Sequence, residues 1–280
     1  MKEKKYVLCA RGSFDVNGGK ASYSQGTPQY QTEAATELIY NRLFSIHLLQ
    51  TKQITKQHTI VTLPERKFLY ENIFDNVINY DSRINNYDYN IVDCGVWNRI
   101  EYKPSYPHYE RDKEIIHKIT YNQEILSEDI EDFLVCIPRL KVSDTRRNLN
   151  QKYWVDFISS IKYKFDKIIV FGKGNENLDN GLNVKYVDTL QDYCSYIHHS
   201  NCRHVVSTIS GPCHYVQQFG NSNNNTTLTM IDNLGLTDKD KHGDSPSYFD
   251  PCINFTKAKI NFIKNYLPKP KDLAKMITQL

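Results

Sequence analysis

The sequence predicts an α/β protein made of two successive parallel-sheet domains that face a cleft. Three observations carry that prediction. Short apolar runs alternate with segments of helical spacing along most of the 280 residues, the pattern of parallel strands joined by right-handed crossovers. The alternation begins again near residue 130, beyond a polar, Tyr-rich stretch over 98–131. Residues 202–220 then read as a strand, a glycine turn and a helix start, the unit from which such sheets are built.

In the first half, 5–10 is a first strand that runs into Arg11-Gly12-Ser13-Phe14-Asp15-Val16-Asn17-Gly18-Gly19. Glycines with Asp and Asn make a loop whose backbone can approach a ligand closely. Residues 32–49 carry Ala34, Ala35, Leu38, Ile39, Leu43, Phe44 and Ile46 at helical spacing. A strand over 58–63, a helix opened by Pro64-Glu65-Arg66, and strands over 76–80 and 89–94 follow. Pro104 and Pro107 mark a loop, and 110–119 fits a helix.

The second series opens with Phe133-Leu134-Val135-Cys136-Ile137, an apolar strand stopped by Pro138-Arg139. Over 153–165, Trp154, Phe157, Ile158 and Ile161 share one helical face. Strands over 167–172 and 184–187, a helix over 190–198, a strand over 204–208 and another over 228–232 continue the pattern. A helix is predicted over 255–266, broken by Pro268 and Pro270, with a short helix closing the chain. The expected domains are 1–130 on the acceptor side, 131–265 for nucleotide binding, and a C-terminal helix, 266–280, for which a return to the first domain is open.

Composition narrows the function. Hydrophobic content of 40% and charged content of 24% are those of a globular protein with real cores. A net charge of +3 without a dense basic run gives no footprint for nucleic acid. No apolar run approaches a membrane span, and the first ten residues are too short of apolar positions for a signal peptide. Seven scattered cysteines suggest free thiols in a reducing, cytoplasmic setting. No G-x-G-x-x-G follows the first strand and no G-x-S-x-G elbow occurs, which disfavours dinucleotide-dependent and hydrolase chemistry.

The stretch with the most chemistry is Cys202-Arg-His-Val-Val-Ser-Thr-Ile-Ser-Gly-Pro-Cys-His-Tyr-Val-Gln-Gln-Phe-Gly220. After the strand, Ser210 suits a helix N-cap, Gly211 a tight turn and Pro212 the first helical position. Free backbone N–H groups and the positive dipole end converge at such a turn, so it can cradle a diphosphate without a Walker lysine. Ser210-Gly211-Pro212-Cys213-His214 after a strand resembles the small-Ser-Gly-Pro-x-His element of GT-B glycosyltransferases, above all the heptosyltransferase-like group. Three further segments resemble the donor domain of that group in order: Ile137-Pro138-Arg139 through Arg146-Arg147-Asn148 to Trp154, Phe171-Gly172-Lys173-Gly174, and Val187-Asp188-Thr189-Leu190. The resemblance spans roughly residues 133–220. It implies two Rossmann-like βαβ domains facing a cleft, a GT-B-like architecture.

The resemblance also implies an activity: transfer of a sugar from a UDP, GDP or ADP type of nucleotide sugar to a carbohydrate or glycan acceptor hydroxyl. The diphosphate would sit at Ser210, Gly211 and Pro212, with His214 either touching phosphate or sugar hydroxyls or packed in the core. Arg139, just past a strand end, can fork onto phosphate; Lys173 and Glu176 can border a base or ribose. Lys141, Arg146 and Arg147 read as solvated charges. The acceptor hydroxyl needs a base, and the group places an Asp in the loop after the first strand. Asp15 matches by position, with Arg11 and Gly12 beside it, although the local sequence departs from the usual wording; as a turn residue it would instead make an Asx bond. Glu33, Asp93 and Glu101 are the alternative carboxylates.

No cofactor and no metal are expected. Cys194, His198, His199, Cys202, His204, Cys213 and His214 are dense, but they straddle two helices and a strand rather than forming turn-presented ligand pairs. No acidic pair stands at a strand end, and an in-line base at Asp15 would invert the anomeric centre. A nucleotide-sugar epimerase or hydrolase on the same fold, and a non-catalytic nucleotide-sugar-binding protein, are the rival readings.

Overall fold

A computed structural model describes residues 6–8, 45, 48–49, 52–62, 64–79, 91–93, 121–139, 148–172, 174–179, 184–210, 212–213, 215–216, 225–233 and 258–279. The chain divides into two compact units, Met1–Tyr121 and Asn122–Leu280.

The first unit holds a four-stranded sheet of β1 (Tyr6–Leu8), β2 (Thr59–Thr62), β3 (Asn76–Asn79) and β4 (Ile91–Asp93) in the order β3-β2-β1-β4. All neighbours are parallel. The helix expected after Pro64 is a 3₁₀ turn, Pro64–Leu69, that buries Phe68 and Leu69, with Tyr70, Ile73 and Phe74 buried after it. Helical Ser45 and Leu48 are buried within the expected helix 32–49, most of which lies outside the described residues, as does 110–119.

The second unit is a three-layer α/β/α structure. Its six strands are β5 (Phe133–Ile137), β6 (Lys167–Phe171), β7 (Val184–Val187), β8 (Cys202–Thr208), β9 (Thr227–Asp232) and β10 (Lys259–Lys264). They lie in the order β10-β9-β8-β5-β6-β7, all parallel. Helix α1 (Gln123–Leu126) precedes β5, α2 (Gln151–Ile161) links β5 to β6, α3 (Leu190–His198) links β7 to β8, and α4 (Pro270–Gln279) closes the chain.

Period-two alternation along each buried strand sorts its residues to two faces. Leu134, Cys136, Ile168, Val170, Val206 and Ile231 meet the apolar stripe of α2 (Trp154, Phe157, Ile158, Ile161) and Leu273, Ala274 and Ile277 of α4. On the opposite face Phe133 packs edge-on against Tyr196 of α3, and Phe171 stacks on Tyr193 with ring centroids 4.3 Å apart. Each fully buried large side chain in this core contributes about 1.5–3 kcal/mol over exposure. Asn150 caps α2 by accepting from Tyr153 N–H at 2.7 Å, and Thr189 caps α3 by accepting from Asp192 N–H at 3.1 Å.

The helix predicted over 255–266 is instead the edge strand β10. Lys-Ile-Asn-Phe-Ile-Lys is short enough to suit either period, and pairing along all six residues of β9 selects the extended form. Asn265, at φ +54°, turns the chain out of β10 and donates its N–H to Asp232 O. Pro270 opens α4 rather than ending a helix. Helix α4 itself, in the segment for which a return to the first domain is open, packs on α2 within the second unit. Among the described residues no helix is long and apolar enough to cross a membrane.

Candidate functional site

Topology locates the site before any side chain does. Counted within the second unit, the sheet order is 3-2-1-4-5-6, so the chain leaves β5 toward β6 and β7 and returns on its other side as β8. Loops leaving the C-terminal ends of β5 and β8 therefore diverge to opposite faces and open a crevice between them, where open α/β sheets bind ligands. Pro138-Arg139 leaves β5 there, and the turn that reaches Ser210 and Pro212 leaves β8. The first unit has its own such point between β1 and β4, where Leu8 pairs with Asp93. That pairing puts the backbone of Asp93, one of the alternative carboxylates, beside the strand end that leads to Asp15.

Side-chain clamps hold the three strand ends around the crevice. Ser207, fully buried in β8, has its Oγ 3.1 Å from Ile137 O of β5 and 2.6 Å from Thr208 O, with Ser210 Oγ at 3.1 Å. Asn175 follows β6 and is 2% exposed. Its Nδ2 donates to Pro138 O at 3.0 Å and to Phe171 O at 3.1 Å, while its Oδ1 is buried with no partner among the described residues. Gly172 makes room for this amide: at φ +120° it adopts a conformation other residues avoid, and a Cβ there would come within 3.1 Å of Asn175 Nδ2. The successive carbonyls of Ile137 and Pro138 are thus held by Ser207 on one side and Asn175 on the other.

Arg139 stands next in the chain, 8% exposed, with Nη1 donating to Asn148 Oδ1 at 2.8 Å. Asn148 lies two residues before the cap of α2, so the guanidinium is tied to the start of that helix. Ser210 is also buried, at 6% exposure. Its carbonyl, rather than the hydroxyl expected of an N-cap, accepts from Cys213 N–H at 3.2 Å, and its Oγ faces Ser207 and the Cys213 thiol. Burial pushes that thiol up, away from thiolate chemistry. Pro212 O accepts from Tyr193 OH at 2.9 Å, which anchors the turn to α3.

Glu176 is exposed beyond the β6 turn. Bonds from its own backbone N–H and that of Gly174 hold its carboxyl below the usual range, with a contribution from Tyr186 OH at 3.1 Å. It is therefore an ionised acceptor on the rim. Arg11, Gly12, Asp15, Lys173, Gly211 and His214 lie outside the described residues, as do Glu33 and Glu101. Among the predicted residues, then, Arg139 follows β5, Ser210 and Pro212 follow the adjacent β8, and Glu176 follows β6 on the other side of β5. Sequence reasoning missed Ser207 and Asn175. The available signals were a Ser-Thr pair inside an apolar strand and an Asn directly after two turn glycines.

The Cys/His-dense stretch is dispersed. Cys194, Cys202 and Cys213 are buried and in no disulfide, and His199 bonds to the Glu128 carbonyl at 3.3 Å. No cluster of three or more metal-binding side chains occurs among the described residues.

A solved structure follows a similar backbone path. The chain aligns over 98% of its length with 98% of E. coli heptosyltransferase WaaC solved with ADP-2-deoxy-2-fluoro heptose, at 10% identity and a TM-score of 0.51. The chain has a heptosyltransferase-like GT-B fold. E. coli ADP-heptose LPS heptosyltransferase II aligns over 85% of this chain and 80% of its own, at 11% identity and a TM-score of 0.41. No family model matches the sequence, and no curated protein matches it. At such identities the likeness lies in the backbone path and not in a shared set of side chains.

Proposed function

We propose that the protein is a glycosyltransferase that moves a sugar from a nucleotide-sugar donor to an acceptor hydroxyl, with inversion and without a metal ion. The observation that carries this reading is the switch point of the second sheet, where a buried arginine follows β5 and a turn with no Walker lysine follows the adjacent β8. A nucleoside diphosphate leaving group needs compensation for negative charge as its bond to the sugar breaks. Arg139 offers a planar fork for that charge, and backbone N–H groups at the 210–212 turn offer the rest. Glu176 and Lys173 would border ribose or base, and His214 the phosphate or sugar.

On the acceptor side, Asp15 would take the proton from the attacking hydroxyl as the C–O bond to the diphosphate breaks, so attack comes from the face opposite the leaving group. The paired ends of β1 and β4 support this position, because the loop containing Asp15 starts from the switch point of the first sheet.

The test is direct. A thermal-shift screen against UDP, GDP, ADP and CMP identifies the base, since a selective ligand raises stability by mass action. Release of nucleoside diphosphate from the matching sugar, with and without glycan acceptors, then separates a transferase from a hydrolase and from a binding protein. A transferase releases nucleotide in proportion to glycosylated acceptor. Turnover independent of acceptor, or binding without turnover, would reject it.

A further inference from the structure

A second concave site lies at the opposite edge of the same sheet, a cavity of about 430 Å³. Its lining comes from the N-terminal ends of four strands: Asp132 just before β5, Arg203 and His204 in β8, Thr227 in β9 and Lys259 in β10. Lys164 and Phe165, past the end of α2, Asn225 before β9, and Ile277 and Thr278 of α4 complete it. Strands of five to seven residues separate this edge from the crevice by roughly 17–23 Å, so the cavity is no part of the donor site.

Its charge is lopsided. Three cations, Lys164, Arg203 and Lys259, face one carboxylate, Asp132, for a formal +2. The C-terminal ends of α2 and α4 point toward it with about −0.5 each, and the balance stays positive. Arg203 engages Asp132 through Nε alone, which leaves its Nη groups unspent on that bond. His204 adds the second observation. It is 9% exposed, sits edge-on to Phe165 at 5.6 Å, and its Nδ1 is buried with no partner among the described residues. Burial, and then the neighbouring Arg203, hold its pKa at about 4, so the ring is neutral at physiological pH. As a lining residue, His204 gives the cavity wall a neutral imidazole beside the three cations.

We propose that this cavity binds a small phosphomonoester of sugar-phosphate size, its phosphate between Lys164, Lys259 and Arg203 and its hydroxyls against His204, Thr227 and Thr278. Volume, charge and lining agree on that class. About 300–1,000 Å³ suits a small ligand, and a dianion answers the excess charge better than a monocarboxylate. Threonine hydroxyls and one aromatic edge suit a polyol skeleton.

The test uses the full chain and glucose 6-phosphate as the probe, with glucose, glucuronate and inorganic phosphate as comparisons. Glucose 6-phosphate is expected to raise the melting temperature and give a saturable calorimetric signal, glucose none, and the other two weaker ones. Lys164→Gln combined with Lys259→Gln, both at exposed positions, should weaken the probe at least tenfold, while Arg139→Ala in the crevice leaves it unchanged. His204→Phe should raise the melting temperature of the unliganded protein, because the unpartnered nitrogen is gone, and weaken the probe severalfold. No binding at about 5 mM probe, where a millimolar Kd would register, overturns the proposal. So does binding lost with Arg139→Ala but kept in the lysine pair, or inorganic phosphate binding as tightly as the sugar phosphate.

Discussion

Glu128 joins three elements of the second unit, and replacing it with Gln measures how much of that junction is electrostatic. Its carboxylate receives Lys167 Nζ at 2.9 Å from β6, Lys185 Nζ at 3.1 Å from β7 and Tyr196 OH at 2.9 Å from α3. Partial burial raises its pKa, but hydrogen bonds from Lys167, Tyr196 and Lys185 outweigh burial and bring it from 4.5 to about 2. A depression of that size is worth at most about 3–4 kcal/mol at neutral pH. The carboxylate is 26% exposed and the lysines 29% and 43%, so water screens both pairs. About 1–2 kcal/mol is the expected net. Because the folded pKa lies below the unfolded one, this stability is complete above 4.5 and fades as pH falls from there toward 2. Glu128→Gln, which titrates nowhere, should cost about 1–2 kcal/mol at neutral pH and progressively less in acid. Urea unfolding of both proteins at neutral pH, at pH 4.5 and near pH 3 reads that convergence. A difference that is the same in acid as at neutral pH would refute the electrostatic account, and a silent substitution at neutral pH would refute the junction altogether.

Four other outcomes are expected. Arg139→Ala should weaken nucleoside diphosphate binding by at least about tenfold, and Arg139→Lys should recover only part because the fork is lost; calorimetry checks both. Asn175→Ala removes two buried bonds at the crevice and should lower stability by about 1–3 kcal/mol in thermal unfolding. Asn175→Asp should be worse than Ala, since a carboxylate cannot donate to the carbonyls of Pro138 and Phe171. Asp15→Asn should reduce kcat by roughly 10²–10⁴-fold with nucleotide binding unchanged, whereas an Asp15 that serves only the turn would make Asn nearly silent in the same assay. Transfer should persist in EDTA, with activity abolished by the chelator and restored by manganese as the contrary result.

The sequence by itself determined the alternation of strand and helix, the two α/β series and the place where the second one starts chemistry. These properties are local: period-two and period-3.6 patterns, and a glycine turn followed by proline. It also brought Arg139 and Ser210 under suspicion, because both follow apolar runs where a parallel strand must end. Strand order was beyond it. The same elements can be laid out in several orders, and only the packing of α2 and α4 on one face and α3 on the other makes β8 return beside β5. That adjacency turns two loops 70 residues apart into one crevice. The fate of residues 259–264 was settled in the same way, since an apolar run of that length has no preferred period until a neighbouring strand offers its hydrogen bonds. Ser207, Asn175 and the unpartnered nitrogen of His204 gain meaning only in the folded state. A hydroxyl, an amide or an imidazole is unremarked in a chain of 280 residues until burial removes its water and leaves protein or ligand as its remaining partner.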